Sequence, residues 1–447
     1  MPFDSMMPGL HAEYVLLRHR LRKHGIRHDV TSGKIGRANV VWWRGVSALA
    51  AAYIIASQAL LDVTGWSASA FVFAILLASV VVAGVLCRIW KIRIGKWIAV
   101  PLLFLGYCLL RCFSEIKDTS PFDTFVQMTS AFLGGITLAL ALRAGVKFAT
   151  IVYAQLSANL LQIIIVLSGV GPEAPPGEDS FRYAGLTGNP NALALQLTLG
   201  ACLIWLMPRK AGVFPCVFAV ASVAFAVAVT GSRKAVLIAF FFLILMLIQT
   251  VHLAPRKRRR LMTALAVTVP CITGMVLGPW LYQHGQEIAA VQRVVDYEDS
   301  SFQTRADMIQ QGLHLWSQAP VFGNGLDAFE GLSGQGTYAH NNYVELLCDL
   351  GIVGTVLFYS MYGLVLIRAA RVRLFLKLYC WVFALALLLA DVGYVSFRSK
   401  QTIMILMILI VATTSHHLHK HRRSERENGG GTPEYHGSKL RRFVVRT

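Results

Sequence analysis

The sequence predicts an all-α, polytopic membrane protein. Three observations carry that prediction: 55% of the 447 residues are hydrophobic, 15% are charged, and the basic residues cluster between long apolar runs. A mean hydropathy of +0.56 does not suit a soluble domain. A helix crosses the hydrocarbon layer with about 20 apolar residues, and the chain has room for about twelve such helices plus one modest lobe outside the membrane. Spans are expected to start near Val46, Trp66, Trp97, Val126, Ala149, Asn191, Val213, Ala235, Leu261, Glu345, Leu374 and Thr402, each run ending at a charge cluster or a Gly/Pro turn. The expected organisation is a basic N-terminal segment over residues 1–44, spans over 45–282, an outer loop over 283–343, further spans over 344–416 and a polar, disordered tail over 417–447.

A formal charge of +19 would point to nucleic acid in a soluble protein, but here its distribution excludes that partner. Basic runs occur before the first span, then at RIWKIRIGK, RAGVK, PRK, PRKRRR, RAARVR and HHLHKHRR. With about twelve spans, all of them fall on one side, which the positive-inside rule makes cytoplasmic. Both termini are then inside, while SEIKDTSPFDTF, PEAPPGEDSF and the long segment from Tyr282 to Tyr343 face outward. The polar first 44 residues carry no cleavable signal pattern, so the first span is expected to act as the anchor. The cysteines lie in or beside apolar runs, none in the long loop, and no metal-type Cys/His spacing is present; neither a disulfide there nor a metal is expected.

The segment between the ninth and tenth expected spans is too long for a plain connection. GQEIAAVQRVVDY reads as one amphipathic helix and SFQTRADMIQQGLHLWSQ as a second, with Ser300 or Ser301 as N-cap, Met308, Ile309, Leu313 and Trp316 at helical spacing, and Pro320 as its stop. The Gly- and Ser-rich stretch FGNGLDAFEGLSGQGTYAH is expected to be irregular, folding over the membrane surface or moving as a lid. It ends in His340-Asn341-Asn342-Tyr343, which places an imidazole where a loop enters an apolar helix.

Outward-facing arginines stand out because the charge bias depletes them there. Arg182 precedes the sixth span, Arg233 sits between the seventh and eighth, Arg305 lies in the first turn of the second loop helix, and Arg293 and Arg398 complete the set. A guanidinium holds phosphate oxygens bidentately. At an effective dielectric near 20 each close pair is worth about 4 kcal/mol before desolvation, so two or three could hold a diphosphate, and Arg305 gains from the free N–H groups of a helix start. Each residue also has a plainer reading. An interfacial arginine snorkels or pairs with a loop carboxylate such as Asp296 or Asp299. His340 can be a hydrogen-bonded loop histidine, and Asn189-Pro190-Asn191 a turn that starts a helix. Asp391, inside the eleventh span, is costly in lipid and should face the protein interior.

RYAGLTGNPNALA, TGSRKAVL, FQTRADMIQQGLHLWSQAPVFGNGLDAF and HNNYVELLCDLGIVG, in that order around a long outer loop, resemble the O-antigen ligase and O-antigen polymerase superfamily of bacterial envelope glycosyltransferases. The resemblance spans residues 181–354 and implies a GT-C-like membrane fold in the bacterial inner membrane with its site on the periplasmic face. It further implies transfer of a glycan from undecaprenyl diphosphate to an acceptor, with no cofactor. Arg233 and Arg305 would bind the diphosphate, His340 would take part directly in transfer, and Arg182 matches an arginine before the NPN element. Asn189, Asn191, Asn341 and Asp391 are the supporting candidates. Such chemistry needs charge neutralisation on the leaving phosphate and a base for the acceptor hydroxyl; an imidazole with an ordinary pKa of about 6.5 can be that base.

The first reading is an O-antigen ligase with a lipid A-core acceptor. A polymerase using the same lipid-linked donor is the alternative within the superfamily, and protein-glycosylating ligases are a third branch. A transporter or flippase is the alternative from another class, and the scarcity of charges within the spans argues against it.

Overall fold

The computed structural model describes residues 32–59, 72–73, 75–80, 96–113, 121–144, 146–169, 183, 185–187, 189–207, 213–253 and 300–428, and among these every regular element is helical. We number them α1 (Ser32–Ala59), α2 (Ala99–Arg111), α3 (Pro121–Ala144), α4 (Phe148–Leu167), α5 (Pro190–Cys202), α6 (Val213–Thr230), α7 (Arg233–Leu253), α8 (Ser300–Gln318), α9 (Ala328–Leu332), α10 (Asn342–Ala369), α11 (Leu374–Asp391) and α12 (Lys400–Asn428).

Four of the described helices are long and apolar enough to cross a membrane: α3 through Arg143, α4, α10 and α11. Shorter apolar helices lie at Ala99–Arg111, Pro190–Leu206, Phe214–Thr230 and Lys400–Thr414. The described residues are thus all-helical, and their apolar helices suggest a membrane protein. A described helix covers each expected span start except those near Trp66 and Leu261, which lie outside the described residues. The first expected loop helix, GQEIAAVQRVVDY, also lies outside them. α12 continues to Asn428, into the tail expected from residue 417.

Helix α12 is the axis of the packing. Ile403 through Val411 are all buried, so this helix is apolar all round because it is surrounded, chiefly by α3 and α10. α2 and α6 instead leave several large apolar side chains outward, with Leu110 71% and Phe214 80% exposed, although Phe104 and Leu105 of α2 are buried; such outward apolar faces suit contact with lipid.

Two helix starts share one device. Asn189 and Asn341 are both extended, and each side-chain oxygen accepts two backbone N–H groups of the first turn: Asn191 and Ala192 at 2.9 and 3.3 Å, Tyr343 and Val344 at 3.0 and 3.2 Å. Pro190 follows at the first helical position, where no N–H is needed. Such a cap is worth about 1 kcal/mol and sets where each helix begins.

The loop after α8 is pinned to α10. Helix α10 breaks at Gly351 (φ +65), and the segment Pro320–Gly325 docks its backbone onto the break. Asn324 and Gly325 donate to the carbonyls of Cys348 and Asp349, both at 2.9 Å, while Ile352 donates to Pro320 at 3.0 Å. A Cβ on Gly323 would lie 2.4 Å from the Asp349 carbonyl oxygen, and one on Gly351 would lie 2.4 Å from that of Val321. The Tyr107 hydroxyl sits 2.9 and 2.8 Å from the Phe322 and Leu350 carbonyls, and Arg111 donates to Gly323 at 2.8 Å. A stretch expected to be an irregular cover or a lid is thus fastened through Leu326, Asp327, Ala328 and Phe329, all buried. In α8, Leu313 is 41% exposed, so it does not share the buried face with Met308; Gly312 does, because a Cβ there would meet Val344 and Phe329.

Candidate functional site

His340 is the residue just before the Asn341 cap, and its φ of +52 places it in the left-handed region that non-glycine residues avoid. Asp327, in the same lobe, is the other described non-glycine residue there, at +66. Such strain persists where neighbours over-determine the backbone. The His340 ring lies 4.3 Å from that of Tyr338 at 52°. The amide of Asn189 donates to the Tyr338 hydroxyl at 3.1 Å, tying the cap of α5 to the histidine loop. Burial, followed by the positive charges of Arg305 and Lys234, lowers the His340 pKa to about 4. The ordinary value of about 6.5 expected from sequence is thereby corrected. The imidazole is neutral at pH 7, with one ring nitrogen free to accept a proton.

The loop is held by a charge cluster. Arg398 reaches Asp327 and Glu345, both at 2.7 Å, and Asp349 at 3.4 Å. Glu345 and Asp349 stand one turn apart at the start of α10 and are fully buried. The second oxygen of Glu345 accepts the backbone N–H of Ala339, immediately before His340. Asp349 accepts from Asp327 N at 3.1 Å and Phe329 N at 2.9 Å, and Thr124 donates to Asp327 at 2.8 Å. The arginine and three carboxylates therefore clamp the lobe, α3 and α10 together behind the histidine.

A second polar network lies beside it. Asn342 accepts the N–H groups of Ser396 and Phe397 at 2.8 and 3.0 Å and donates to Tyr359 at 2.9 Å. Asp391 faces the interior, fully buried, accepting from Tyr359 at 3.0 Å and Tyr362 at 3.4 Å. It supports the connection from α11 to α12 that carries Arg398.

The sequence candidates divide accordingly. Arg305, half-buried on α8, is brought to His340, as is Tyr338. Asn189 and Asn341 are caps, and Asn191 sits half-buried in the first turn of α5. Arg233 is exposed at the first position of α7, and the charge of the next residue, Lys234, acts on His340 while its ammonium donates to the Gly393 carbonyl. Arg398 belongs to the clamp. Arg182, Arg293, Asp296 and Asp299 lie outside the described residues. Lys234, Glu345, Asp349 and Tyr338 were missed by the sequence reading, although two acids four residues apart in an apolar run are a readable sign of a buried partner. Among the described residues no group of His, Cys, Asp and Glu is placed to hold a metal ion.

These features define a class: a protein helical throughout its described residues, with apolar helices that suit a membrane, in which a small lobe sets a histidine at the start of an apolar helix, within range of the charges of Arg305 and Lys234. Residues 217–359 match the family model described as O-antigen ligase, a match that supports membership of the O-antigen ligase superfamily. That window contains Arg233, Lys234, Arg305, His340, Glu345 and Asp349. No curated protein matches the chain.

Proposed function

We propose that this protein is an O-antigen ligase of the bacterial inner membrane, transferring a polysaccharide from undecaprenyl diphosphate to a sugar hydroxyl of the lipid A-core on the periplasmic face. The observation that carries this reading is the placement of His340 against Tyr338, within reach of the charges of Arg305 and Lys234. The acceptor hydroxyl oxygen attacks the anomeric carbon while the bond from that carbon to the diphosphate breaks. The electron pair leaves with undecaprenyl diphosphate, the proton passes to His340, and the anomeric centre inverts. Arg305 and Lys234 take the charge on the departing diphosphate, and no metal is needed for that neutralisation. Arg233, exposed beside Lys234, suits first capture of the anionic donor. Arg182 is assigned to the donor by its position before the NPN element.

A base with a conjugate acid near pH 4 is weak at neutral pH. Donor binding removes part of that deficit, because a diphosphate between Arg305 and Lys234 offsets the two charges that help hold the histidine down. The donor then activates its own base.

Comparing lipopolysaccharide with carrier-linked glycan in a strain lacking the protein tests the reading. Long polymer accumulating on undecaprenyl diphosphate with a bare lipid A-core is the expected result. Single repeat units on the carrier, with at most one reaching the core, would make the protein a polymerase instead.

A further inference from the structure

Among the described side chains every carboxylate lies at the end of the bundle that holds His340: Asp123 opens α3, Glu345 and Asp349 open α10, Asp391 closes α11, and Asp307, Asp327 and Glu330 belong to the lobe. The opposite end is basic. Arg143 is in the last turn of α3 and Arg368 in the last turn of α10, each half-buried, with Lys147, Arg371 and Arg373 exposed at the same end.

Arg143 and Arg368 are close enough for the charge of one to act on the other. Arg368 donates to Thr414 of α12 at 2.9 Å. Arg143 has a buried Nη1 without a hydrogen-bond partner among the described residues. Two like charges within range of one another at the ends of helices, where the carbonyl dipoles already draw in cations, repel unless an anion lies between them. Beside them Ile367 is 61% and Leu374 59% exposed, and Trp381, with Lys377 4.6 Å from its ring centroid, is an amphipathic residue of the kind that sits at headgroup level.

We infer that Arg143 and Arg368 form a binding site for the phosphodiester of an anionic phospholipid, on the membrane face opposite His340. One guanidinium supplies its Nη1, which has no partner among the described residues, and the other its remaining donors. The exposed Ile367 and Leu374 lie where an acyl chain would run. A free phosphate shares the headgroup chemistry but gains nothing from that apolar surface.

The test is retention of lipid by the full-length purified protein in native mass spectrometry, with phosphatidylglycerol, phosphatidylcholine and inorganic phosphate offered separately. Preferential retention of phosphatidylglycerol is expected. Arg143→Gln and Arg368→Gln should each weaken it tenfold or more, the size of one lost charge-assisted contact, while Arg373→Gln at an exposed position should not. Equal retention of phosphatidylcholine by the unaltered protein would overturn the proposal, and that comparison needs no variant to fold. Equal loss in Arg373→Gln would also overturn it, reducing the site to diffuse surface charge. Competition by millimolar inorganic phosphate would overturn the lipid assignment.

Discussion

Arg398 and Glu345 meet at 2.7 Å, and the same Glu345 carboxylate holds the backbone N–H of Ala339, one residue before His340. The position of the candidate base thus depends on an arginine more than fifty positions further along the chain.

Removing that arginine leaves Glu345 and Asp349 buried without a counter-charge. Breaking a buried ion pair from one side costs about 3–5 kcal/mol, so Arg398→Gln should lower the thermal unfolding midpoint and abolish transfer. A midpoint equal to that of the unaltered protein would show that the cluster does not hold the lobe.

His340 bears on pH in two ways. Its folded pKa of about 4 lies below the ordinary value of about 6.5, so the unfolded chain takes up the proton first. The stability contributed by the neutral ring is complete above pH 6.5 and is lost as pH falls towards 4. In catalysis, kcat/KM, which reports the free enzyme, should keep its value as pH falls from 7 and decline only on approach to 4, whereas kcat should decline at higher pH once the donor offsets Arg305 and Lys234. A kcat/KM limb near 6.5 would contradict the burial of His340 and the action of the Arg305 and Lys234 charges on it. His340→Ala should lose turnover altogether.

Tyr338→Phe and Asn189→Ala separate positioning from capping. Both remove the 3.1 Å bond between these side chains, but only Asn189→Ala also removes the α5 cap, at about 1 kcal/mol. Both should lower kcat, with an added fall in unfolding midpoint for Asn189→Ala alone. Unchanged kcat in Tyr338→Phe would mean the bond does not orient the histidine.

The glycines of the docked loop should differ sharply. Gly323→Ala places a methyl against the Asp349 carbonyl at a positive φ, so folded protein should fail to accumulate, whereas Gly334→Ala has the same kind of φ but open space and should cost about 1–3 kcal/mol of strain at most. Yield of monodisperse protein after detergent extraction reads the difference.

Arg305→Lys keeps the charge and loses the bidentate fork. A large fall in donor affinity is expected, measured by binding of the lipid-linked donor; unchanged affinity would remove Arg305 from the diphosphate site.

Helices α3, α4, α10 and α11 were legible because hydropathy over about 20 residues is a local property and lipid demands it of every span. The helix start at Asn189 was readable for a similar reason, since a cap acts within its own first turn, whereas Asn341 was expected only as a supporting residue and is a cap in the structure. The docking of Gly323 against Gly351 was not readable. Glycines signal a turn, whereas here they permit two backbones to touch, and which two depends on how α8 and α10 pack.

The sequence by itself determined the apolar helical class, the resemblance to the superfamily and the candidacy of His340 and Arg305, all of which rest on hydropathy or short motifs. Tertiary structure decided that Lys234 lends its charge to His340, that Arg398 is a clamp rather than a free cation, and that the histidine pKa falls to about 4. Burial and charge pairing join residues far apart in the chain, and no periodicity or spacing encodes which of them meet.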